Sequence, residues 1–393
     1  MLVSLVSQFG PITRAVPSTG VDPGARCPLC HDEPVLSLRS RRQGGWMSGR
    51  RPHSRPLAAT LTAAALAALL AVGGCSSPSS GEEPGAQAGL SVANGEAAPT
   101  ADSPFWVDPD SDAAREVVLR RKQGRAAEAT ALRRISERPV ADWPAGDNPA
   151  PEIQRAVRAA AEHRRTVVLV AYNIPHRDCG LYSAGGAPDA QAYRDWIGAF
   201  AGAIGDAPAV VILEPDALPH IADGCTPPQG QAERYELLSQ AVSRLKRQPR
   251  TRVYLDAGNP AWISDPARLT GPLRRAGINV ADGFSLNVSN FQSNDSVKLF
   301  GTQLSGLLRG SHFVMDTSRN GAGPLPGNRA EAWCNPPGRA LGTPPSTNTG
   351  NELLDAYLWI KRPGDSDGPC RGGPAAGTWW PDYALGLARR AKN

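Results

Sequence analysis

The chain has 393 residues, with 42 Lys and Arg against 37 Asp and Glu, so its formal charge is +5. Eight arginines and three acids in residues 1–75 account for that excess, leaving 34 basic against 34 acidic side chains in the remainder. A neutral body excludes a nucleic-acid binder driven by phosphate attraction. Its length provides ample core for one large domain.

In chain order, the first element is a leader. Residues 47–75 read "MSGRRPHSRPLAATLTAAALAALLAVGGC", a basic head, an Ala/Leu run and a small-residue site ending in Cys75. The run is short for a membrane-spanning helix and a polar stretch follows, so the segment is expected to be a signal peptide. The residues before Cys75 resemble a bacterial lipoprotein box, which leaves two outcomes, lipidation at Cys75 or plain secretion. Met47 is read as the start, making 1–46 an upstream extension whose translation the sequence does not establish. "CPLCH" at 27–31 lacks a second Cys/His pair at ligand spacing, so no zinc site is expected. Residues 76–102 are rich in Ser, Gly, Pro and Ala and read as a disordered linker.

From 103 to 393 a single domain is expected. Strand-like runs at 166–172, 208–213, 252–256, 283–288, 312–316 and 355–360, with a weaker one at 139–143, alternate with helical patterns. The helices fall at 113–133, 151–163, 190–204, 231–247, 266–276 and 296–308. Strands apolar on both faces suit a parallel sheet covered by helices. No G-x-G-x-x-G or P-loop follows a strand, which favours a TIM-barrel-like (β/α) barrel over a doubly wound α/β sheet and leaves no cofactor to expect. Exported chains oxidise, and the four cysteines beyond Cys75 (Cys179, Cys225, Cys334 and Cys370) suggest two disulfides among three pairings.

Strand C-terminal ends carry the active site in such a barrel. Asp178, Asp216, Asp256 and Asp367 lie at or just beyond those ends. One alone would pass for a cap or turn residue. Four on one rim disfavour ionisation of at least one, as glycoside hydrolysis requires: an acid for the leaving oxygen and a carboxylate for water. The six His residues show neither a metal spacing nor a Ser-His-Asp order.

"YNIPHRDCG", "LEPD", "LDAGNPAW", "DTSRNG" with "WCNPPGRALG", and "WIKRPGDSDGPC" occur in that order from "SPFWV" at 103 to the C-terminus. Together they resemble glycoside hydrolase family 6, the inverting cellulases. The resemblance implies a distorted seven-stranded (β/α) barrel acting on β-1,4-glucan. It makes Asp216 the acid, Asp178 the group that keeps the acid's pKa high and holds water, Asp256 a helper and Asp367 the base. It leaves the base open between Asp367 and a chain of waters. Tyr172 would lie beneath the distorted sugar, Arg177 and Lys361 would hold carboxylates or hydroxyls, and Asn290 would bond a hydroxyl. Trp143, Trp262 and Trp333 would be platforms for pyranose faces. Phe291 stands where the family usually has Tyr, and Ser183 or Ala184 where a loop Ser is expected. The implied disulfides are Cys179–Cys225 and Cys334–Cys370.

Short loops at 321–333 and 370–380 leave no room for a roof, which favours internal cleavage over exo action. A non-catalytic glycan-binding lipoprotein would have been free to lose the four Asp residues. The expected protein is thus a monomeric endoglucanase, secreted or lipid-anchored, with polysaccharide as its partner.

Overall fold

The computed structural model describes residues 103–327 and 331–392. The extension 1–46, the leader 47–75 with Cys75, and the linker at 76–102 all lie outside the described residues. Six strands form one all-parallel sheet: β1 (Val167–Ala171), β2 (Ala209–Leu213), β3 (Thr251–Asp256), β4 (Gly283–Leu286), β5 (His312–Asp316) and β6 (Leu354–Leu358). Their spatial order is their chain order. Right-handed crossovers that always step in the same direction put every connecting helix on one face, as in a barrel. A doubly wound sheet would reverse its order at a switch point.

Alternation along each strand divides the apolar residues between two layers. Leu169, Val211, Leu255, Phe284 and Met315 pack outward against helical side chains such as Ile153, Phe200, Leu238, Leu273 and Leu304. Val168, Val170, Val210, Ile212, Tyr254, Val314, Ala356 and Leu358 meet one another on the inner side. One cluster drawing on β1, β2, β3, β5 and β6 requires a strongly curled sheet.

The covering helices are α1 (Asp112–Lys122), α2 (Ala126–Ser136), α3 (Ala150–Glu162), α4 (Ala190–Ile204), α5 (Pro219–Ala222), α6 (Pro228–Leu245), α7 (Ala267–Arg275), α8 (Asn294–Leu307) and α9 (Pro381–Arg390). The expected α6 face, Leu237, Leu238, Ala241, Val242 and Leu245, is buried as its spacing requires. Asp189 caps α4 by accepting the Ala192 amide at 2.8 Å, worth about 1 kcal/mol.

Two expectations need correction. The helix expected over 113–133 is two helices, because Gly124 adopts φ +74° and turns the chain between α1 and α2. These two pack with α9 in a separate apolar cluster. The seventh strand, expected at 139–143, is not formed. Pro139, its first residue, and Pro144, just past its end, donate no ladder bonds. Residues 141 and 142 bridge the sheet's two edges through their backbone: the Ala141 amide donates to the Trp359 carbonyl (2.9 Å), and Asp142 exchanges bonds with Val168 (2.9 Å) and Val170 (2.8 Å).

Candidate active site

The loops leaving the C-terminal ends of the strands enclose a cleft of about 510 Å³, within the usual size range for ligand sites. Asp178, Asp216, Asp367, Tyr172, Trp143, Trp262, Trp333, Asn290 and Lys361 all line it. Asp256 does not. It is 1% exposed and lies beneath the cleft, accepting the amides of Asp216 (2.9 Å) and Gly258 (3.2 Å) and the Ser285 hydroxyl (3.2 Å). Asp256 therefore holds the backbone that aims Asp216.

The loops are strained where these carboxylates sit. Asp178, Cys179, Glu214 and Asp216 all have φ between +48° and +70°, a conformation costing on the order of 1–3 kcal/mol for each such residue. Buried side chains brace it. Glu214 accepts the amides of Asn173 (3.0 Å) and Ile174 (2.9 Å), and Arg234 donates to the carbonyls of Pro175 (3.1 Å) and His176 (2.9 Å). The disulfide Cys179–Cys225 crosses the same loops, and Cys334–Cys370 ties the segment before Asn335 to the loop following Asp367.

The carboxylates divide into two electrostatic classes. Asp216 is raised well above the usual carboxylate range by burial, then by repulsion from Asp256 and Asp178, while the Tyr172 hydroxyl pulls the other way. Asp178 is raised by burial, against the Ser183 amide that donates to it at 2.6 Å. Burial pushes Asp256 up to about 6 despite its amide donors. Asp367 goes the other way. Burial would raise it, but Arg319 and Lys361 outweigh that and hold it below the ordinary range. Arg319 Nη1 lies 2.8 Å from its Oδ2, Lys361 Nζ 3.4 Å from its Oδ1, and the Asn335 amide 3.0 Å from Oδ2. A carboxylate engaged on both oxygens has little affinity for a proton, which does not suit a direct base.

The remaining expected residues fare differently. Trp143 meets Tyr172 edge-on at 5.6 Å and donates to the Ile360 carbonyl at 2.8 Å. The Trp262 indole donates to Asp223 Oδ2 at 2.9 Å. Trp333, 36% exposed, leans on Tyr182 at 5.9 Å. The Asn290 side-chain Oδ1 accepts the Phe291 amide at 2.9 Å and Gln292 Nε2 at 3.2 Å. Phe291 is buried, with the Arg319 guanidinium 4.4 Å from its ring centroid. Arg177 holds no carboxylate: it donates to the carbonyls of Ser183 and Tyr172 and lies over the Tyr172 ring at 4.8 Å.

Sequence reasoning missed Arg319, Glu214, Asp316 and His220. Asp316 is fully buried and gathers three loops by accepting the amides of Ser289, Ser318 and Lys361 at 2.9–3.0 Å. The signal for His220 was its position four residues after Asp216, one helical turn onward in "PDALPH".

Among the described residues, two trios of donors come close together, and neither makes a good metal site. Cys179, His220 and Cys225 are one, but the cysteines form a disulfide. Asp178, Asp216 and His220 are the other, where the proton that burial keeps on Asp216 competes with a cation.

The family model described as "Glycosyl hydrolases family 6" matches residues 100–391. Endoglucanase A of Thermobispora bispora is 43% identical over 298 residues, 74% of this chain and 63% of that protein. The chain therefore spans less than two thirds of that relative's length. Endoglucanase 1 of Streptomyces halstedii is 44% identical over 291 residues, 71% of this chain and 87% of that protein. Among solved structures, the endoglucanase Cel6 from Mycobacterium tuberculosis, in complex with methyl-cellobiosyl-4-deoxy-4-thio-β-D-cellobioside, is similar with a TM-score of 0.67. It is 45% identical, over 74% of this chain and 98% of that one.

Proposed function

The chain belongs to glycosyl hydrolase family 6, and from that premise we propose that it cleaves internal β-1,4 bonds of cellulose or a related β-glucan with inversion. One observation carries the reading: a carboxyl whose proton is retained by burial and by two neighbouring carboxylates, in an aromatic-lined cleft. A neutral Asp216 donates its proton to the glycosidic oxygen as the C1–O bond breaks, and water attacks C1 from the opposite face. The raised proton affinity of Asp178 makes its side of the cleft the destination for that water's proton. Asp367, neutralised by Arg319 and Lys361, orders the loop around the site rather than accepting the proton directly.

Trp143, Trp262 and Trp333 supply faces for pyranose rings, and the Asn290 side chain faces a sugar hydroxyl. Relatives named endoglucanase at 43–44% identity support internal cleavage. A relative named as a probable 1,4-β-D-glucan cellobiohydrolase is 31% identical over 59% of this chain, so exo action is the weaker reading. Export through 47–75, with Cys75 either lipidated or simply exported, the linker 76–102, and a monomeric domain over 103–393 complete the proposal. The bridging bonds of residues 141 and 142 between the sheet's edges fit a closed barrel.

The test is NMR of the first sugar formed from a cello-oligosaccharide. The α-anomer is expected, and early β-anomer would overturn the reading. Asp216→Ala should lower kcat on cellulose by about 10²–10⁴-fold, yet spare a substrate whose leaving group needs no proton.

A further inference from the structure

The inverting cycle leaves a proton out of place. Forming the new C1–O bond releases one proton from the attacking water. Breaking the glycosidic bond sends its electron pair to the leaving oxygen, which takes the Asp216 proton. The site then holds an ionised Asp216 and an extra proton on the water's side. Before the next turnover Asp216 has to regain a proton and the water's side has to lose one.

Resting on the functional reading above, we propose that His220 is the relay that returns this proton to Asp216. One carboxylate oxygen from each of Asp178 and Asp216 and one ring nitrogen of His220 lie within 4.8 Å of one another. Within that bound a single water can join the ring nitrogen to either carboxylate. The ring lines the cleft although the residue is only 6% exposed. Its orientation is fixed from outside the trio. Nδ1 lies 3.5 Å from Asp223 Oδ2, the oxygen that also accepts the Trp262 indole N–H, and the Trp262 ring meets the imidazole edge-on at 4.8 Å. The main-chain amide of His220 donates to the Asp216 carbonyl at 2.9 Å, so the acid and the imidazole belong to one rigid turn.

The charge balance around the ring suits temporary custody of a proton. Burial lowers its pKa, Arg234 on α6 pushes the same way, and Asp223 just past α5 and Asp178 on the loop after β1 oppose them. The imidazole is therefore neutral between turnovers, becomes cationic while it faces Asp178, Asp223 and the Asp216 that has given up its proton, and discharges to Asp216. No other reactant is needed.

The experiment is rapid-quench kinetics of His220→Gln on a short soluble cello-oligosaccharide. The acid starts loaded, so the first bond should break at the wild-type rate, giving a burst of about one equivalent. Steady-state turnover should then run about tenfold or more slower with KM little changed. Imidazole added to His220→Ala should restore turnover. Melting curves of both variants identify misfolding, and rescue by imidazole can be read even if one variant is unstable. A first turnover slowed as much as later ones, without rescue, or unchanged kcat overturns the relay. If inversion itself fails in the anomer experiment, the functional reading falls with it; inversion with an unaffected His220→Gln sinks only the relay.

Discussion

Asp216 and Asp367 have the same side chain and opposite proton affinities, and the difference lies in what is buried beside them. Around Asp216 the neighbours are carboxylates. Replacing Asp178 by Asn removes one of those charges, so the Asp216 pKa should fall. The alkaline limb of kcat/KM should then move to lower pH, and movement the other way would contradict the assignment. Around Asp367 the neighbours are cations. Its depressed pKa contributes stability that is present above the unfolded value near 4 and lost as pH falls through the folded value. Asp367→Asn should cost about 3–5 kcal/mol in urea unfolding, because fully buried Arg319 is left without its charge partner. The four Asp residues were legible in the sequence because each follows an apolar run of strand type. Arg319 was not. A buried arginine is explained only by the carboxylate 48 residues away that it meets in the fold.

Elements were legible wherever periodicity and tertiary demand agreed. All six strands stand where β-branched, apolar runs put them, and α4 matches its expected bounds. Agreement failed at Gly124, where an unbroken helical pattern hid a left-handed turn, and at 139–143, where Pro139 and Pro144 confine pairing to residues 141 and 142. The loops between elements depend on covalent ties. Cys179–Cys225 closes a separation of 46 residues, for which loop entropy gives about 4 kcal/mol. Cys179→Ser with Cys225→Ser should therefore lower Tm by about 7 °C. It should also lower kcat, since Asp178 adjoins the freed loop. Differential scanning calorimetry and activity assays on the same sample check both. A further constraint is steric: Gly368, next to Asp367, has φ +149°, and a Cβ there would lie 2.5 Å from the Tyr182 ring. Gly368→Ala should therefore disturb the contact between Tyr182 and the Asp367 loop, with little effect on the distant helices.

For the whole molecule, the decisive property is whether a polymer enters the cleft from the side or by its end. Only ten residues separate Cys370 from the start of α9 at Pro381, which leaves little chain to arch over the substrate. On carboxymethyl cellulose, viscosity should collapse early relative to reducing ends released. A slow, proportional fall would indicate end-on attack.

The two-residue stitch between the sheet edges has a consequence for how the molecule breathes. The amides of Ala141, Asp142 and Val170 carry the bonds of that seam. Each is worth about 1 kcal/mol net, against ladders of four or five residues elsewhere in much of the sheet. These three amides should therefore exchange with deuterium sooner than those of β2 or β3. Trp143 follows the seam directly and spans it, meeting Tyr172 of one edge edge-on while bonding the Ile360 carbonyl beyond the other. A glucan resting on that indole should fasten the seam, and its arrival should register as slowed exchange at 141, 142 and 170.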